Sequence, residues 1–206
     1  MTTTVQETTR PRRWRSRRVA AILAGGLVLG VGAAATLAAW NDSEFAQGTF
    51  TAGSFDMVGS TDGTTFANHN AVGTPATLAF TVPAAALTPG DVTAAPFAVQ
   101  LTAATTNAAT VTVTSAATSG TVSNLTYTLL QTTSFGCTAA TTGTALVAAG
   151  TAMDSTGGTA VTFDLAKGTG GAAGAPVNLC FKVTAGSGLV QGQTGTATWQ
   201  FAAQSV

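Results

Sequence analysis

Seven separate stretches of this chain alternate large apolar residues with small or polar ones, and that rhythm decides its fold class. Leu78, Phe80 and Val82 alternate with Ala79 and Thr81; Phe97, Val99 and Leu101 follow, then Val111 and Val113, then Leu125, Tyr127 and Leu129. Val161, Phe163 and Leu165 make the fifth run, Val177, Leu179, Phe181 and Val183 the sixth, and Trp199, Phe201 and Ala203 the last. Successive side chains of a strand point to opposite faces, so a period of two gives each run one apolar face. Turn signals fall between the runs at Pro89-Gly90-Asp91, Ser119-Gly120, Gly157-Gly158, 168–174 and 186–188. After residue 40 no window of helical length carries a 3.6-residue apolar repeat. Ala and Thr dominate the composition, and such runs could also form an extended, glycosylated stalk. A stalk has no use for alternation, whereas half-buried strands must pack sheet on sheet. The expectation is an all-β, jelly-roll-like two-sheet β-sandwich over 51–206.

Charge divides the chain in two. Six Arg and one Glu fall before residue 20, a net of +5, and from Trp40 onward two Lys face seven Asp and Glu, a net of −5. The body therefore has no basic surface to neutralise phosphates, which excludes nucleic acid as a partner class. Arg10, Arg12, Arg13, Arg15, Arg17 and Arg18 make a basic region at 10–18, an apolar stretch follows at 19–31, and small residues fill 32–39. That order is the pattern of a secretory signal peptide over 1–39, with its signal helix ahead of the sandwich. The competing reading is a retained helix, since 19–39 carries no charge and would reach about 31 Å at 1.5 Å per residue. Gly25, Gly26, Gly30, Gly32 and Thr36 dilute that stretch, and Leu37-Ala38-Ala39 offers small residues at a cut. Cleavage between Ala39 and Trp40 is expected, giving a secreted, extracellular or cell-surface protein that meets the membrane only through an uncleaved signal segment. No Cys stands at the end of the apolar run, which excludes a lipoprotein anchor.

The start of the mature chain carries the most specific pattern. Trp40-Asn41-Asp42 directly follows Ala38-Ala39, and Phe50-Thr51-Ala52-Gly53-Ser54-Phe55-Asp56 comes soon after. Leu87-Thr88-Pro89-Gly90-Asp91 and the closing run at 195–203 add two further landmarks. In this order and spacing the set resembles the TasA/camelysin family, specifically over 19–101 and more loosely in the last run; 102–190 matches only as further strands. The resemblance implies a bacterial protein with a SipW-dependent signal, cut by a dedicated signal peptidase, and a jelly-roll domain that assembles into biofilm matrix fibres. Its partner would be itself, as a head-to-tail homopolymer, with an accessory matrix or anchoring protein.

In fibres of that kind the segment behind the cleavage site completes the sheet of a neighbouring copy. Here 40–50 is the candidate donor strand, with Trp40, Phe45, Phe50 and Phe55 as its assembly residues. A sheet edge offers unpaired N–H and C=O groups, and apolar side chains on an incoming strand fill its pockets. The same segment could instead be the first strand of its own sandwich, and composition does not choose between the two. Only 8% of all residues are charged, far below the usual quarter, so little repulsion opposes association.

Cys137 and Cys180 both lie in the exported part, an even count suited to an oxidising compartment. Cys180 sits on the face of its run opposite Leu179 and Phe181, and Cys137 follows the run at 125–131. A disulfide between them is expected; two free thiols on separate surfaces is the alternative. The resemblance does not require this bridge, and no Cys-x-x-Cys pattern suggests redox work.

No enzyme chemistry is expected. His69 is the sole histidine, so neither a zincin His pair nor a typical zinc centre can be built, and a Ser-His-Asp triad would have to rest on the same loop residue. The glycine-rich 168–174 lacks phosphate-loop spacing and precedes a strand. Asp154 and Asp164 are the nearest carboxylate pair, and nothing fixes their separation. No metal or cofactor is expected. The alternative function is a monomeric cell-surface adhesin or carbohydrate-binding β-sandwich, but no sortase signal or hydrophobic tail follows the last run.

Overall fold

A computed structural model describes residues 17–27, 42–81 and 87–206. The chain divides into two units, Met1–Phe50 and Thr51–Val206. In the first, 17–27 is helical and 42–50 has no regular secondary structure. Among the described residues no helix is long and apolar enough to cross a membrane. The expected cut between Ala39 and Trp40, the segment 32–39 and Val82 lie outside the described residues.

The second unit is a β-sandwich-like pair of antiparallel sheets. Its strands are β1 Met57–Ser60, β2 Val92–Leu101, β3 Ala109–Gly120, β4 Leu125–Thr132, β5 Thr144–Ala152, β6 Val161–Leu165, β7 Val177–Ala185 and β8 Gly195–Ser205. Five strands form one sheet in the order β1-β2-β7-β4-β5, and three form the other as β6-β3-β8. Register places like with like: Phe97 lies opposite Leu179, Leu129 opposite Phe181, and Val113 opposite both Val161 and Phe201. The alternating residues thus meet between the sheets, where Phe181 and Trp199 have ring centroids 4.6 Å apart and Phe97 and Phe201 5.4 Å apart. Tyr127 donates its hydroxyl to the Ser155 carbonyl at 2.7 Å, which lets a phenol sit in this core. Among the described residues the buried Trp199 indole N–H finds no hydrogen-bond acceptor.

Two expectations need correcting. The described part of the first run, 78–81, is not a strand, although Leu78 and Phe80 do pack on the core. Ser119 and Gly120 end β3 instead of forming a turn; Ala116 bulges out between Ser115 and Ala117, so β3 stays paired with β8 as far as Gly120 opposite Gly195.

The β4–β5 connection folds back over the outer face of the five-stranded sheet. A disulfide joins Cys137 to Cys180 with a Cα–Cα distance of 5.3 Å, and the two sulfurs share a small second core with Ala94 and Leu130. Lys182 Nζ donates to the Thr141 carbonyl at 3.2 Å. Phe135 lies against Gly63, whose φ of +75° and lack of a side chain the contact requires, since a Cβ there would come within 2.6 Å of the ring.

Two carboxylates organise the turns. Asp62 accepts hydrogen bonds from the Thr65 and Thr64 N–H groups and from the Ser60 hydroxyl, which hold its carboxyl far below the usual range. Asp91 accepts from the Thr88 N–H and hydroxyl, which lower it in the same way, and Gly90 turns the chain at φ +92°. A carboxylate depressed in the folded state stabilises it above the unfolded value of about 3.9, and that contribution fades as pH falls further. Thermal unfolding followed from pH 6 to pH 2 should show Tm dropping below about pH 4. Asp62→Asn, whose side-chain carbonyl still accepts both N–H groups, should flatten that drop; an unchanged acid limb would show that Asp62 does not govern it.

Candidate assembly groove

The two sheets have four edges, β1 and β5 on one and β6 and β8 on the other. Natural sheets blunt their edges with short strands, charges, proline or irregular pairing. β1 has four residues, β5 pairs with two register shifts, and β6 has five residues including Asp164. Pro96 on β2 fits the same logic, because β1 stops opposite Ala98 and, among the described residues, no strand continues along that flank. β8 is different. It runs eleven residues, Gly-Thr-Ala-Thr-Trp-Gln-Phe-Ala-Ala-Gln-Ser, with no charge and no proline, and among the described residues β3 is its sole strand neighbour.

An apolar groove of about 1000 Å³ runs along β8 toward β1 and β2. Phe97, Phe181 and Val183 of the five-stranded sheet line it on one side and Trp199 and Phe201 on the other, while Leu78 and Phe80 reach in from the loop before β2. The inward residues of β8 are consequently only half-buried, where their counterparts Val111 and Val113 on β3 are fully covered. Among the described residues, a three-stranded sheet facing a five-stranded one leaves this side of the core without a strand.

The four sequence-derived assembly residues separate in the structure. Phe45 and Phe50 are 96% and 95% exposed on the irregular 42–50 segment. Phe55 belongs to the sandwich unit and is held there: Ser54 pairs with Thr105, and Asp56 accepts from the Thr102 N–H at 3.0 Å. Thr105 Oγ1 both accepts from the Asp56 N–H and donates to the Asp56 carbonyl, and Ser54 Oγ donates to the Ala104 carbonyl. Trp40 lies outside the described residues. The segment that could leave its own domain therefore ends before Ser54. Stretched as a strand, 42–50 reaches about 30 Å at roughly 3.3 Å per residue, comparable with β8.

His69 and Asn68 line the groove, and Asn68 donates to Asp56 at 3.5 Å. Among the described residues no cluster of three or more His, Cys, Asp or Glu could hold a metal. Asp164 accepts from the Thr110 hydroxyl at 2.8 Å on the outer face of the three-stranded sheet. Alternation identified the rings that line the groove, but not the groove itself, which depends on β8 having no second strand neighbour among the described residues. Compared with protein families and with curated proteins, the chain matches no family model and no individual sequence.

Proposed function

We propose that this chain is a secreted structural protein that assembles into extracellular matrix fibres by donor-strand insertion, as its resemblance to the TasA/camelysin family implies. The observation that carries the reading is the long, uncharged β8 edge, which among the described residues has no second strand neighbour and lies beside an apolar groove, on a chain that also exposes two phenylalanines on an irregular segment. In this reading 42–50 of one copy pairs with β8 of the next and completes a four-stranded, jelly-roll-like sheet. Main-chain hydrogen bonds then give affinity and the groove gives specificity. Donor and acceptor are different surfaces, so the contact is heterologous and grows a filament instead of closing a dimer. A dedicated signal peptidase would release the donor by cutting at Ala39, and an accessory protein would anchor the fibre.

Electron microscopy of purified 40–206 beside a form lacking 40–48 tests this. Filaments from the first and monomers of equal Tm from the second are expected. Soluble monomers from both, equally stable, would overturn fibre assembly and leave the aromatic groove as the ligand site of a monomeric surface binder. Selective loss of stability in the shorter form would place the segment in its own sandwich.

Strand parity sharpens the test. Phe45 and Phe50 are five residues apart and fall on opposite faces of a regular strand. Turning Phe50 inward brings Ala46 and Gly48 with it, whereas turning Phe45 inward buries Gln47, whose amide would need partners. Phe50→Ala should therefore slow filament growth by more than tenfold, the effect of losing about 1.5–3 kcal/mol of burial. Phe45→Ala should have the smaller effect; the reverse order would assign the other register.

A further inference from the structure

Ahead of β2 the chain crosses the groove with the burial pattern of a strand and without a strand's hydrogen bonds. Ala76, Leu78 and Phe80 are half-buried against the core while Thr77, Ala79 and Thr81 face solvent. Among the described residues the main chain of 76–80 makes no hydrogen bond. The tether comes at Thr81, whose N–H donates to the Ala94 carbonyl at 2.9 Å and whose Oγ1 accepts from the Ala94 N–H at 3.2 Å. Those bonds go to the five-stranded sheet, not to β8. The segment thus fills groove space with Leu78 and Phe80 and leaves the N–H and C=O groups of the β8 edge untouched. A strand arriving at β8 could claim the ladder at once, but its inward side chains would need the room those two residues hold.

We propose that 76–81 is a built-in cover of the groove, which shields the apolar core of the unassembled chain and is displaced when 42–50 of a second copy pairs with β8. The proposal rests on the fibre reading and adds its control. Each addition must expel two apolar side chains held by packing and by the Thr81 tether, so the cover sets the rate of growth and rejects extended chains too weak to dislodge it. A site that is open for a fraction of the time binds with an affinity reduced by that fraction.

Hydrogen exchange of the full chain, alone and with a synthetic peptide of residues 42–50 in excess, tests the cover. The peptide is expected to protect β8 amides and to loosen the Thr81 amide in the same titration. Leu78→Ala/Phe80→Ala, and separately the exposed Thr81→Val, which removes the acceptor for the Ala94 N–H without touching the core, should bind the peptide about tenfold tighter, as expected if the parent groove is covered about nine-tenths of the time. Protection of β8 with unchanged or weaker binding by Thr81→Val, and no loosening at Thr81, would overturn the cover and leave Leu78 and Phe80 as fixed groove wall, with fibre assembly intact. No protection of β8 at any peptide concentration would overturn both.

Discussion

Phe181→Ala is expected to unfold with about 3–5 kcal/mol less free energy than the parent chain, the usual toll of deleting a buried aromatic ring. Phe181 is 1% exposed at the centre of the five-stranded sheet, opposite Leu129 on β4 and Ala95 on β2. Its ring lies 4.6 Å from that of Trp199, 6.4 Å from Phe201 and 6.5 Å from Tyr127, so one side chain ties both sheets together. The neighbours sit on paired strands and cannot collapse into the space, which puts the loss toward the upper part of the range. Urea unfolding followed by tryptophan fluorescence measures it, since Trp199 reports directly on the ring it would lose. A loss below about 1 kcal/mol would mean that the sheets are not joined through this residue.

Replacing Cys137 and Cys180 together by Ser should cost about 4 kcal/mol, from the loop of 43 residues that the bond closes in the unfolded chain. The double variant avoids leaving an unpaired thiol. Its structural consequence should be local. The β4–β5 connection loses its staple and keeps only the Phe135 contact with Gly63 and the Lys182 bond to Thr141, so exchange should rise there before it rises in β7. An unchanged urea midpoint would show that the connection packs on the sheet regardless of the bond. Groove and staple lie on opposite faces of the five-stranded sheet, and peptide binding should survive the double substitution.

Six of the seven alternating runs are strands, and the reasons for the misses are physical. β1 is four residues long and β5 reads Thr-Ala-Leu-Val-Ala-Ala-Gly-Thr-Ala. Both are edges, where small residues suffice and no second face demands alternation. The first half of β2 hides its strand behind Thr93, Ala94, Ala95 and Pro96, although Thr93, Ala94 and Ala95 are buried, because side chains this small show no large–small alternation. The run at 78–81 shows the converse. Its alternation records a real inward face at Leu78 and Phe80, but period two reports burial on one side and says nothing of who supplies the hydrogen bonds. The proposed assembly site was legible at its donor end, where phenylalanines stand out in a charge-poor chain. Its acceptor end depends on which strand lacks a neighbour, a property of topology that no local pattern encodes.

The staple on the outer sheet face makes the fold sensitive to where the chain finds itself. In a thiol-rich interior Cys137 and Cys180 stay reduced, and a domain whose whole margin is typically about 5–15 kcal/mol does without some 4 of them. A polypeptide in that condition opens readily and can be threaded through a narrow channel. Under the secretion proposed above, the bond would close in oxidising surroundings between the β4–β5 connection and β7, and the same sandwich would harden after transit.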